Sequence, residues 1–299
     1  MWGARAVRHV AIVLALLLGV GAAANADAPE RVRTTATVAE QAVRVDPPDP
    51  PTRALLISDS AWLGLRLRGT VDAVQGTDVT LALASCRRRV ATSCRNSTGF
   101  VPITLLQELD AHPTGYDTLI VATGYNDHDQ RFLDEVDTII RRARSHDYTR
   151  VVWLTLRSNV AYVSPGTAGF AEVFARSNEA IRALATAGTY PELVMADWAA
   201  YARTHHSWFP SDGIHLRRLG GYAAADYLSR KLAHLDGLSC PQPVTPDAPA
   251  EHPCPDPDAT GLTADLAALY PTDVASPEAR FELVWEGSSS WPAPAWWER

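Results

Sequence analysis

Five short, continuous apolar runs punctuate the first two thirds of this chain, and they leave it few folds to choose from. They are Ala54-Leu55-Leu56-Ile57, Val79 to Ala84, Thr118 to Ala122, Val151 to Thr155, and Leu193 to Ala196. A run of four to six residues with no polar side to it suits a strand buried on both faces, the hallmark of a parallel sheet. Segments with helical spacing lie between the runs. Ile103 to Leu109 follows Pro102, a residue suited to a first helical turn. Phe132, Val136, Ile139 and Ile140 form one apolar stripe. Phe170, Val173, Phe174, Ile181 and Leu184 form another, after the helix-breaking Pro165-Gly166. A last helix is expected from Arg217 to Leu235, with Leu219, Tyr222, Ala223, Tyr227 and Leu232 on its apolar side. Strands alternating with helices predict a three-layer α/β/α fold with a five-stranded parallel sheet. In such sheets reactive groups collect in the loops at the carboxyl ends of the strands.

The flanks read differently. Arg5 and Arg8 precede an apolar run from Val10 to Ala24, and Ala24-Asn25-Ala26 fits a signal-peptidase site. Residues 1–26 are therefore expected to be a signal peptide, with an uncleaved N-terminal anchor as the other reading; either way the remainder is exported. Residues 27–52 are polar and end in prolines, as a linker would. The folded domain is expected at 53–236, followed at 237–299 by a Pro/Trp-rich extension that carries Trp285, Trp291, Trp296 and Trp297 and a weak helix signal from Leu262 to Leu269. Those tryptophans suit cover for an apolar patch of their own domain better than stacking on sugar rings. Four cysteines in an exported chain read as two disulfides, and neighbour pairing, Cys86 with Cys94 and Cys240 with Cys254, is the simplest of three connectivities. A net charge of −7 argues against nucleic acid as a partner, and no later segment is long and apolar enough to span a bilayer.

Three short segments can carry chemistry. Ser60 follows the first strand in Ser58-Asp59-Ser60-Ala61-Trp62-Leu63-Gly64. A serine there can be exposed at the top of a sheet, with its own N–H aimed at a developing oxyanion, though serine after a strand is also an ordinary helix cap. Gly124-Tyr125-Asn126-Asp127 follows the third strand. Asn126 can donate its side-chain N–H to an oxyanion, and the same residues also make a tight turn. Ser211-Asp212-Gly213-Ile214-His215 precedes the last helix. With Gly213 supplying the bend, Asp212 can hydrogen-bond His215, fix its tautomer and stabilise the imidazolium; an Asp-Gly turn beside a solvated histidine is the plainer alternative. His128, His205 and His206 lack metal-ligand spacing and are expected at the rim or surface, with no metal. The Arg87-Arg88-Arg89 run is expected to be a solvated face.

Taken together, Ser60, Asn126 and Asp212-x-x-His215 lie where one sheet would deliver them to one rim. The set resembles the SGNH (GDSL-type) hydrolase family over roughly residues 53–235, and within it the secreted actinobacterial members and the extracellular domains of cell-wall O-acyltransferases. Trp153-Leu154-Thr155, Asp197-Trp198 and Trp208-Phe209 add to the likeness. The resemblance implies a serine hydrolase without cofactor, acting on an acyl ester of a carbohydrate or small molecule, with Ser60 as nucleophile, His215 as general base and acid, and Asp212 as its orienter. It implies an oxyanion hole from the Ser60 N–H, Asn126 and a glycine of the second block, for which Gly99 is the candidate. It departs from the family pattern at Ser58, where a glycine is usual. Transfer to a cell-wall polysaccharide and non-catalytic glycan binding are the alternatives to hydrolysis.

Overall fold

The computed structural model describes residues 52–127, 131–160, 170–241 and 251–261. The expected signal peptide, all of the linker but Thr52, Pro165-Gly166, His128, the Leu262 to Leu269 helix and the four C-terminal tryptophans lie outside the described residues.

The sheet has five parallel strands in the order β2-β1-β3-β4-β5: β1 Arg53–Ser58, β2 Asp78–Leu83, β3 Thr118–Ala122, β4 Arg150–Leu154 and β5 Leu193–Ala196. Side chains alternate between the two faces, so a continuous apolar run feeds two cores. Ala54 and Leu56 join Ile120, Val152 and Leu154 in one. Leu55 and Ile57 join Leu119, Val121, Val151 and Trp153 in the other. All six β1 residues except Arg53 are buried.

The first core is covered by α1 (Gly64–Leu67) and α6 (Arg218–Leu235) and filled by rings, among them Trp62, Trp208, Phe209, Tyr227 and, from the short α5 (Trp198–Tyr201), Trp198 and Tyr201. The second is covered by α2 (Leu105–Ala111) and α3 (Phe132–Ser145). The long α4 (Phe170–Thr186) gives Phe174 to one core and Ile181 to the other. The α3 stripe buries Phe132, Val136, Ile139, Ile140 and Ala143.

The second helix starts later than Pro102 suggests. Thr104 caps it, accepting the Gln107 N–H while the Gln107 side chain accepts the Thr104 N–H, so Ile103 stays outside and exposed. That reciprocal cap outweighs a proline's preference for the first turn.

The arginine run is also corrected. Only Arg88 is part-exposed; Arg87 and Arg89 are buried. Arg89 donates from Nε to Glu135 at 2.8 Å, with Asp127 at 3.8 Å, and its guanidinium lies over the Phe132 ring. Arg87 pairs with Glu108 and donates to the Ala82 and Ile103 carbonyls. The two arginines anchor the segment after β2 from beneath, a cost of charge burial offset only because both find carboxylates.

Beyond α6, Cys240 is bonded to Cys254. The short α7 (Pro257–Thr260) follows, and its approach packs against α6. Lys231, with only 3% of its side chain exposed, reaches Asp256 at 2.8 Å and Asp258 at 2.7 Å. Asp258 also accepts from the Tyr227 hydroxyl and from the Asp197 N–H just past β5. No helix among the described residues is long and apolar enough to cross a membrane.

Candidate active site

The turn after β1 is organised by Asp59 rather than by a helix terminus. Its carboxylate is fully buried and accepts the N–H of Ala61 at 2.9 Å and those of Gly124 and Tyr125 at 3.0 Å each. Burial pushes the Asp59 carboxyl up, while those N–H donors and the nearby His215 oppose the shift. One carboxylate thus ties the Ser60 turn to the Gly124–Asp127 loop. The α1 N-cap is Leu63, so Ser60 is not a helix cap. Ser58, where the family pattern has glycine, is buried, and its hydroxyl donates to the Asp59 carbonyl at 2.9 Å.

The Asp212–His215 loop precedes α6. Gly213 has φ +69°, in the left-handed region that favours glycine, and its N–H donates to the Pro210 carbonyl. Asp212 Oδ1 accepts the N–H groups of Ile214 and His215. Asp212 Oδ2 stands 2.9 Å from His215 Nδ1, and His215 Nε2 stands 3.0 Å from Ser60 Oγ. Partial burial pushes the Asp212 carboxyl up. The hydrogen bond with His215, the two N–H donors and the histidine's charge outweigh it and hold the carboxyl below its ordinary value. Ser60, Asp212 and His215 are all part-exposed at the carboxyl end of the sheet.

Asn126 is part-exposed between these loops and the segment after β2. Its Nδ2 donates to the Arg87 carbonyl at 3.3 Å, and its Oδ1 lies 3.8 Å from Cys94 Sγ. The tight turn coexists with this placement, since the Asp127 N–H donates to the Gly124 carbonyl.

Gly99 lies beyond the Cys86–Cys94 bridge and has φ +87°. It is exposed, its N–H is donated to the Asn96 carbonyl at 3.0 Å, and its carbonyl accepts from Arg95. The glycine closes a local turn, which leaves its N–H committed. Cys86 is a second residue of this segment with a positive φ. It lies three positions past β2, has φ +71°, and is bonded to Cys94. The Ala84 N–H donates to the Ser58 carbonyl, so this segment runs beside the Ser60 turn. A non-glycine residue with positive φ has no signature in sequence; only the disulfide expectation pointed at the position.

Of the other histidines, His205 stacks on Trp208 with ring centroids 4.0 Å apart, and burial lowers its pKa. His206 Nδ1 accepts from Arg157 Nη2 at 3.1 Å. Among the described residues, no group of three or more His, Cys, Asp or Glu side chains is placed to hold a metal ion.

No protein-family model matches the sequence, and no curated protein does. Solved structures do resemble the chain. The C-terminal catalytic domain of Streptococcus pneumoniae peptidoglycan O-acetyltransferase A is 17% identical, with a TM-score of 0.43 over 60% of this chain and 93% of that one. A carbohydrate acetylesterase family member from Sinorhizobium meliloti is 18% identical, with a TM-score of 0.43 over 62% of this chain and 100% of that one. A catalytic mutant of an acetylxylan esterase from Geobacillus stearothermophilus is 12% identical, with a TM-score of 0.38 over 67% and 99%.

Proposed function

We propose that this chain is an exported serine esterase that hydrolyses an ester-linked acyl group, on a carbohydrate or a small molecule, through an acyl-serine intermediate. The observation that carries the reading is the relay Ser60 Oγ to His215 Nε2 at 3.0 Å and His215 Nδ1 to Asp212 Oδ2 at 2.9 Å. A serine hydroxyl is a weak nucleophile until a base within hydrogen-bond reach takes its proton as it attacks.

The reaction follows from that geometry. Ser60 Oγ attacks the ester carbonyl as His215 Nε2 takes the proton. Asp212 holds the Nδ1–H tautomer and stabilises the imidazolium. The negative oxygen of the tetrahedral intermediate is met by the Ser60 N–H, the Asn126 side chain and a donor from the segment at Cys86. Imidazolium gives its proton to the departing alcohol, the acyl-serine remains, and water activated by the same histidine releases the acid. Export is supported by the leader-like N-terminus and by two disulfides, which persist in oxidising compartments.

The test is hydrolysis of p-nitrophenyl acetate and butyrate by the chain from Asp27 onward, beside Ser60→Ala, with intact-mass detection of an acyl adduct. Wild-type turnover with a trapped adduct, and a loss on the order of 10⁴-fold in the variant, is the expected result. Turnover that survives Ser60→Ala refutes the mechanism. A folded wild-type protein that turns over neither these esters nor a panel of acylated glycans refutes the hydrolase reading.

A further inference from the structure

Arg157 follows β4 by three residues, belongs to none of the three sequence blocks, and is only 1% exposed. Its backbone is fixed on both sides. Leu156 exchanges two hydrogen bonds with the Asn178 side chain, at 2.7 and 2.6 Å. The Arg157 N–H itself donates to the Tyr125 hydroxyl at 2.6 Å. From that root the guanidinium lies 4.2 Å over the Phe209 ring, donates from Nη1 to the Gly213 carbonyl at 2.7 Å, and meets His206 Nδ1 from Nη2.

These contacts close a path through the site. The Tyr125 N–H is held by Asp59, and the Tyr125 hydroxyl holds Arg157. Arg157 holds the carbonyl of Gly213, the residue whose left-handed backbone turns the chain between Asp212 and His215. The nucleophile turn and the Asp-His loop, 155 residues apart where they meet, are joined by fixed donors. A planar guanidinium spans two acceptors and a ring face at once, and an ammonium does not.

We propose that Arg157 is a positioning residue that sets the Asp212–His215 loop against Ser60. The proposal rests on the esterase reading for its kinetic consequence, and on geometry alone for its structural one. Small misplacement of a catalytic base is costly to the chemical step and nearly neutral for ground-state binding.

Arg157→Lys keeps the charge and loses the fork. In a folded variant we expect kcat to fall about 10- to 100-fold with KM within about threefold. A second readout needs no turnover: the downfield proton resonance of the His215 imidazole bonded to Asp212, assigned by its loss in Asp212→Asn. It should vanish or exchange about tenfold faster in Arg157→Lys. If Arg157→Lys does not fold, Tyr125→Phe breaks the same path while keeping its ring against Phe174, and the same two changes are expected. A folded variant with the resonance and kcat of the wild type overturns the proposal, and so does a wild-type protein without that resonance. Wild-type protein that shows the resonance and its sensitivity to Arg157, yet hydrolyses no ester, leaves the positioning role standing and removes the esterase reading.

Discussion

Gly64 approaches Leu216 so closely that a β-carbon on the glycine would stand 2.7 Å from the leucine Cβ and 2.9 Å from its carbonyl oxygen. Leu216 adjoins His215, and Gly64 opens the helix after the Ser60 turn. The missing side chain lets the two loops meet. Gly64→Ala should push them apart and lower kcat about tenfold or more, while ordinary helix propensity would favour the alanine. An ester assay beside a thermal melt checks this; unchanged kcat would show that the loops yield.

Asp212 carries the clearest pH consequence. Its carboxyl is held lower in the folded chain than its ordinary value of 3.8, at which the unfolded chain titrates. Its stabilising contribution is thus fully present above that unfolded value and is lost as pH falls through the folded one. The stability gap between wild type and Asp212→Asn should be present at about pH 5 and close below about pH 4, as read by urea unfolding across pH. At neutral pH the same variant should lose on the order of 10³- to 10⁴-fold in kcat.

Asn126 is part-exposed, and its Nδ2 donates to the Arg87 carbonyl. Asn126→Ala should cost about 10²- to 10³-fold in kcat with little change in KM or melting temperature. Equal losses in kcat and binding would reassign Asn126 to substrate contact.

The bridge from Cys86 to Cys94 fixes the segment on which Asn126 leans. Replacing both cysteines with alanine frees that loop of about eight residues' separation. Activity should fall more steeply than stability, and added reductant should mimic the effect in the wild type but not in the double variant. Paired turnover and melting curves decide it.

Lys231 is buried between Asp256 and Asp258. Lys231→Met would leave both carboxylates without their cation, at about 3–5 kcal/mol of unfolding free energy. Denaturant unfolding monitored by the core tryptophans reads this directly.

The strands were legible because a parallel sheet writes both of its faces into the sequence. Leu55 and Leu56 point into different cores, so neither can be polar. The candidate site was legible where the proposed chemistry asks for particular residue types, at Ser60, Asp212 and His215, which stand within hydrogen-bond reach of one another. It was illegible where it depends on partners distant in sequence. Arg87 and Arg89 look like any surface arginines until Glu108, Asp127 and Glu135 are beside them. Cys86 takes a left-handed backbone, as Gly99 does, but its side chain gives no hint of it in the sequence. Arg157 sits in no block because what it holds is a carbonyl, and every residue has one.

The aspartate pair at 256 and 258 also ties the end of the sheet to its covering helix. Asp258 accepts from Asp197 at the end of β5 and from Tyr227 in the middle of α6. Both aspartates come after every strand in the chain. They hold the Lys231 ammonium and the Tyr227 hydroxyl of α6. Two anchors of α6 thus come from a segment about twenty residues past its own end, so a chain cut just after that helix would keep every strand and lose the partners of Lys231 and Tyr227.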